Sequence, residues 1–222
     1  MRAILQTGGG KDSILALHKI KEVRPEVEVM GMLVTFTWDY RRVSMHGVRE
    51  ELIEKQAEAL GLPLFKSYIP KDASNEIYIK NTTESLESLK LEMNIDAVVF
   101  GDIFLEDIRK FREKLLEPLG LEPILPLWGI DSGKLAREFI GLGFKAKTVV
   151  VDLEKLTDKF LCKDFNENFL NDLPDGVDPM GENGEFHTFV YDGPLFNRRI
   201  EFEEGEIRDT ERFKFCDLIP RR

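Results

Sequence analysis

Apolar, β-branched runs recur along the chain at residues 2–7, 27–36, 64–69 and 97–100, with helical spacing between them. Their starts stand near positions 2, 27, 64 and 97, about thirty residues apart, the length of a strand–helix–strand unit. The pattern predicts a parallel sheet. Between the second and third runs, Val48, Leu52, Ile53, Ala57 and Leu60 follow helical periodicity, with Gly61 offering a left-handed end and Pro63 just beyond. Between the third and fourth, Asp72 or Ser74 can cap a helix carrying Ile77, Leu86, Leu89 and Met93, whose middle Thr82 and Thr83 weaken.

After Trp128 the texture changes. A helix over 135–140 ends at Gly141 and Gly143, a strand follows over 145–151, and then comes a loop rich in Asn, Asp, Gly and Pro. Residues 186–191 and 199–202 read as short strands around the turn Asp192-Gly193-Pro194. The spacing therefore predicts an α/β domain over 1–129 and a smaller α+β domain over 130–222, which is expected to close over the same cleft.

The most informative residues lie at the first strand's exit, where Gly8-Gly9-Gly10-Lys11-Asp12-Ser13 leads into the apolar run 14–17. Glycines let the backbone turn tightly and aim several N–H groups at one anion, and the following helix points its positive end at the same spot. Lys11 adds a charge expected to be partly solvated, Ser13 a hydroxyl, and Asp12 a carboxylate suited to Mg²⁺ bridging phosphate oxygens. This set suits a tri- or pyrophosphate. It matches neither GxxxxGK[ST] nor GxGxxG, so a P-loop kinase and a Rossmann dehydrogenase do not follow.

Composition narrows the rest. The chain has 222 residues, 42% of them hydrophobic, and a formal charge of −10, which argues against broad attraction to nucleic-acid phosphates or anionic lipid. No run reaches the ~20 apolar residues of a membrane span. Cys162 and Cys216 are distant in sequence with no CxxC or Cys/His pairing, so neither a disulfide scaffold nor a zinc site is expected, and the compartment is expected to be reducing, the cytoplasm.

The glycine loop resembles the SGGKDS signature of pyrophosphate-loop ATPases. Further blocks extend the likeness over the whole chain: His46-Gly47-Val48-Arg49, Gly101-Asp102-Ile103, Leu119-Gly120-Leu121 leading to Pro126-Leu127-Trp128, Asp178-Pro179, and Gly181-Glu182-Asn183-Gly184-Glu185-Phe186-His187-Thr188. Together they resemble the diphthine-ammonia ligase group of N-type ATP pyrophosphatases, the last block being similar to its bacterial branch. The resemblance implies a five-stranded adenine-nucleotide α-hydrolase-like sheet of order 3-2-1-4-5. It also implies cleavage of ATP to AMP and pyrophosphate, with a carboxylate adenylated and then attacked by ammonia or an amine. Two positions depart from the family: its leading Ser is Gly8, which removes a hydroxyl that would donate to phosphate, and Met180 stands where relatives often carry Cys.

Expected site residues follow from both lines of reading. Gly8, Gly9, Gly10, Lys11 and Ser13 would hold the phosphates, Asp12 the metal, and Gly101 would leave the nucleotide room. Asp102, after the fourth strand, can touch ligand or cap a helix from Ile103. Glu182, Glu185 and His187 can be an acceptor-side cluster or a solvated acidic turn, with Glu185 and His187 on one face. His46 and Arg49 lie where a cation could reach phosphates or a substrate carboxylate, although Arg49 can equally be an exposed helix residue. The acceptor would be a small-molecule or protein-borne carboxylate, and a homodimer is compatible with these readings. An RNA-modifying pyrophosphate-loop enzyme and a non-catalytic ATP-binding sensor remain alternatives.

Overall fold

The computed structural model describes residues 1–221. Five strands, β1 (Arg2–Gln6), β2 (Glu28–Thr37), β4 (Leu64–Ile69), β5 (Ala97–Val99) and β6 (Glu122–Ile124), form a parallel set in which β1 pairs with β2 and β5, β2 with β4, and β5 with β6. Counting parallel strands alone, the order is 3-2-1-4-5, as the resemblance implies. A two-residue strand β3 (Arg42–Val43) adds an antiparallel pair at the far end of β2.

Helices cover both faces of this sheet: α1 (Lys11–Val23), α2 (Glu50–Leu60), α3 (Asn75–Met93) and α4 (Glu106–Leu116). Alternation along β1 divides the core, since Ala3 and Leu5 join one apolar cluster with α1 and α2 while Ile4 joins another with α3 and α4. α2 ends as expected at Gly61, with φ 68°. Of the two candidate caps of α3, Ser74 takes the role by accepting from the Ile77 N–H, and the helix runs unbroken through Thr82 and Thr83 because tertiary packing overrides their weak propensity.

The remaining chain forms α5 (Ser132–Gly141), β7 (Lys145–Asp152), α6 (Glu167–Asp172), β8 (Phe186–Asp192), β9 (Phe202–Asp209) and β10 (Phe213–Pro220). Its strands make an antiparallel sheet of order β8-β7-β10-β9. The strand expected at 199–202 begins only at Phe202, and β10 was not foreseen. β9 is an exposed edge rich in Glu and Asp, so it lacks the apolar alternation that marks a strand in sequence. The larger core cluster runs from Leu15 and Ile53 to Phe139, Val150 and Phe189, so both sheets share it.

Contrary to the expectation from sequence separation, Cys162 and Cys216 form a disulfide across 54 residues, with Cα atoms 5.7 Å apart. β10 pairs directly with β7, and that pairing brings Cys216 to the loop that leaves β7. No helix among the described residues is long and apolar enough to cross a membrane.

Candidate active site

The glycine loop leaves β1 at the carboxyl edge of the parallel sheet, where ligands of open α/β sheets gather. Gly9 has φ +80°, a conformation that favours glycine, and Gly10 is the N-terminal cap of α1 without a side-chain bond. Thr7 and Ser13 brace the loop from inside: their hydroxyls bond each other, Thr7 Oγ1 accepts the Gly9 N–H at 2.8 Å, and Ser13 donates to the Gly10 carbonyl at 3.0 Å. Thr7 was not foreseen as part of this bracing.

The second sheet rests on this loop. Thr188 Oγ1 accepts from Lys11 N at 3.1 Å, and Val190 N donates to the Gly9 carbonyl at 3.0 Å. Gln56 on α2 joins the two, its Nε2 donating to Gly9 O at 3.0 Å and Val190 O at 2.6 Å. A side chain at Gly10 would meet the Thr188 carbonyl at 3.2 Å. Neither Thr188 nor Gln56 carries a sequence signal for this role, because their partners come from the far end of the chain.

Lys11 departs from the partly solvated cation expected of it. Only 1% exposed, its ammonium lies 3.2 Å from Asp12 Oδ2 and 4.8 Å from the centre of the Phe186 ring. The carboxylate and the ring face compensate the buried charge. Burial raises the Asp12 carboxyl above its ordinary value despite Lys11. Asp12 Oδ1 is buried without a hydrogen-bond partner.

Over Gly8 lies His46. A Cβ at Gly8 would come within 2.7 Å of the His46 ring, which sits 4.4 Å, centre to centre, from the His187 ring. Burial pushes His46 down to about 4 and holds His187 well below its usual value, so both are neutral at pH 7. His46 thus faces the loop as an uncharged ring, not as the cation considered above. The missing hydroxyl at Gly8 is matched by an imidazole in the same space.

The acidic block forms its own turn. Asp178 Oδ2 accepts from Met180 N and Glu182 N, and Glu185 Oε1 from Asp178 N and Asn183 Nδ2. Glu185 is buried, not part of a solvated turn, and its Oε2 has no partner. Glu182 reaches across to the parallel sheet, its Oε1 accepting from Ile103 N at 2.8 Å. Burial, with Asp12 and Asp102 nearby, pushes its carboxyl up to about 7.

Three of these residues have local partners that the sequence did not show. Gly101 makes room for the first turn of α1, since a Cβ there would lie 2.6 Å from the Ser13 nitrogen. Asp102 does not cap a helix, because α4 starts at Glu106; its carboxylate accepts from Arg112 Nε at 3.1 Å. Arg49 grips Asp217 of β10 through Nε at 2.9 Å and Nη2 at 2.7 Å, and Arg42 joins at 2.8 Å. With its acid already paired, Arg49 serves the junction between the sheets.

Comparison with known proteins matches the chain along nearly its whole length. The diphthamide synthase N-terminal domain matches residues 1–123 and the diphthamide synthase C-terminal domain residues 131–221. A Homo sapiens diphthine–ammonia ligase is 30% identical over 232 residues, covering 93% of this chain and 85% of the human protein. The Danio rerio diphthine–ammonia ligase is 29% identical over 236 residues, covering 93% and 88%. A solved U34-tRNA thiolase from Methanococcus maripaludis aligns with a TM-score of 0.40 at 16% identity, over 64% of this chain and 57% of its own. With both domains matched in order along the described sheets, the chain belongs to the diphthamide synthase family.

Proposed function

We propose that this chain is an ATP-dependent amide-forming ligase of the diphthine–ammonia type, joining ammonia to a carboxylate of diphthine and releasing AMP and pyrophosphate. The observation that carries the reading is the meeting of the glycine loop with the turn 178–188, through Thr188 on Lys11 N and His187 against His46. In this reading residues 1–129 bind the nucleotide, residues 130–222 serve the acceptor, and the protein works in the cytoplasm.

The acceptor carboxylate oxygen attacks the α-phosphorus and the α–β bond breaks. Loop N–H groups and the positive end of α1 receive the departing pyrophosphate, with Lys11 and Ser13 at its edge. Ammonia then attacks the acyl carbon, the bond to AMP breaks, and the nitrogen loses a proton. In this reading neutral His187 takes that proton and the unpartnered oxygen of Glu185 orients the amine, supported by the lowered imidazole and the unsatisfied carboxylate oxygen. Gly101 and Asp102 frame the same edge, Asp102 being steadied by Arg112.

Magnesium fits this site, because the unpartnered Asp12 Oδ1 is an oxygen a cation would satisfy. Among the described residues no group of three or more His, Cys, Asp or Glu could hold a metal by itself, so Asp12 would act with substrate phosphates, a common arrangement for Mg²⁺. Once bound, the ion supplies positive charge against the leaving pyrophosphate.

The test combines product and variant. Wild type given ATP, diphthine and ammonium should yield AMP. Glu185→Gln should keep ATP affinity while turnover falls roughly 10²-fold. ADP as the main product would sink the adenylation chemistry, and wild-type turnover in the variant would return Glu185 to a bracing role.

A further inference from the structure

Gln56 stands in the middle of α2 with no exposed surface, and its amide is only half served. Nε2 donates to Gly9 O at 3.0 Å and to Val190 O at 2.6 Å, whereas Oε1 is buried with no hydrogen-bond partner among the described residues. An amide oxygen buried unpaired costs about 1–3 kcal/mol. The Gly9 carbonyl, moreover, already has a donor in Val190 N. A second donor whose own oxygen goes unpaired adds little to stability, and its placement points to the loop it holds.

Both donors act on one peptide group. α2 presses on the loop from behind: a Cβ at Gly9 would meet Ile53 Cδ1 at 2.7 Å and Gln56 Oε1 at 3.0 Å, two residues three apart on one helix face. A peptide is planar and trans, so its N–H points opposite to its C=O. Holding the Gly9 carbonyl on Gln56 and Val190 therefore directs the Gly10 N–H away from both. The neighbouring amides are taken, Gly9 N by Thr7 Oγ1 and Lys11 N by Thr188 Oγ1, while Gly10 N donates to no group among the described residues. Gly10 is the N-terminal cap of α1, where the helix field favours an anion.

We propose that Gln56 is a positioning residue of the ligase reaction: through the Gly9 carbonyl it aims the Gly10 N–H at the phosphates, and through the Val190 carbonyl it ties that aim to the seating of β8. The role rests on the ligase reading for the ligand that the loop receives. Gln56 acts through the peptide and has no contact of its own with the substrate. Because the peptide lies between two glycines, it turns at little steric cost once a restraint is lost. The N–H then leaves its line while the fold stands. The pyrophosphate part of the nucleotide is held less well, and the nucleoside monophosphate part is not affected.

The test is Gln56→Met, which keeps the length of the side chain and removes both donors. Calorimetry with inorganic pyrophosphate, ATP and AMP should find the first two weaker by about tenfold or more and AMP within about twofold of wild type, with near-ultraviolet circular dichroism unchanged. Unaltered pyrophosphate affinity overturns the proposal, as does an equal loss for all three ligands, the mark of a merely structural glutamine. If the variant does not fold, nuclear magnetic resonance of the wild type decides. The Gly10 amide proton and the Gln56 side-chain amide protons should both shift when pyrophosphate is added, because hydrogen bonds that share a peptide polarise one another. Stationary Gln56 resonances in the pyrophosphate-bound protein overturn the role, and so does a wild type that binds no pyrophosphate. The two readings fail apart: selective loss of pyrophosphate binding in Gln56→Met, from a protein that forms no AMP with ATP, diphthine and ammonium, keeps Gln56 in its role and sinks the ligase. AMP formation by the wild type with unaltered pyrophosphate affinity in the variant does the reverse.

Discussion

Gly8 and His46 compete for a single space at the mouth of the glycine loop. A Cβ at position 8 would come within 2.7 Å of the imidazole, so restoring the family's Ser there should force His46 off its stack with His187. The Gly8→Ser substitution is expected to cost about 1–2 kcal/mol of stability as an overpacked contact. Adding His46→Ala should recover much of that loss, giving a coupling energy of about 1 kcal/mol or more in a double-mutant cycle. Urea unfolding of the four proteins decides it, and strictly additive losses would mean that the two residues do not share the space. The sequence made Gly8 look like a simple loss, because the residue that fills its place lies in another segment.

At the scale of elements, the junction between β10 and the parallel sheet concentrates covalent and ionic ties. Asp217 takes Arg42 and Arg49, which hold its carboxyl well below the usual carboxylate range, and the adjacent Cys216 is bonded to Cys162. By chain-entropy reasoning, closing a loop of this length lowers the freedom of the unfolded chain by about 4 kcal/mol as an upper figure. Thermal unfolding of the oxidised protein should therefore lie several degrees above that of the reduced protein or of Cys162→Ser/Cys216→Ser. Equal midpoints would show that the bond contributes nothing. The parallel strands and their helices were legible because apolar runs and the Gly61 end signal are local. The cysteine pair, β10 and the Arg49–Asp217 contact were not, since each depends on how the antiparallel sheet folds back. The same distinction holds within the site: Gly8 to Ser13 announced themselves, whereas the buried setting of Lys11 arises from Phe186, far along the chain.

For the molecule as a whole, Glu182 makes stability depend on pH across the contact between sheets. Its carboxyl sits at about 7 in the fold and near the ordinary ~4.3 when unfolded, so between those values the native state binds more protons. Stability from this group is present below the unfolded value and is lost as pH rises through about 7. His46 and His187 act in the opposite sense: neutral in the fold, they lose stability as pH falls below their unfolded value towards the native ones. The clean readout is a difference. Glu182→Gln, which can still accept from Ile103 N, should gain stability relative to wild type as pH goes from 5 to 8, followed by urea midpoints. A constant difference across that range would mean that Glu182 is ionised throughout.

The bond from Lys11 N to Thr188 Oγ1 joins residues 177 positions apart, and it bears on how the protein is made. Gly9 and Lys11 are translated well before β8, to which the groups that complete their turn belong. A nascent chain can pair its first strands early, because those contacts are neighbours in sequence order. Its glycine loop acquires its final shape only once β8 arrives. The final shape of the loop thus waits for β8, and a product terminated before it carries the loop's sequence without the loop's structure.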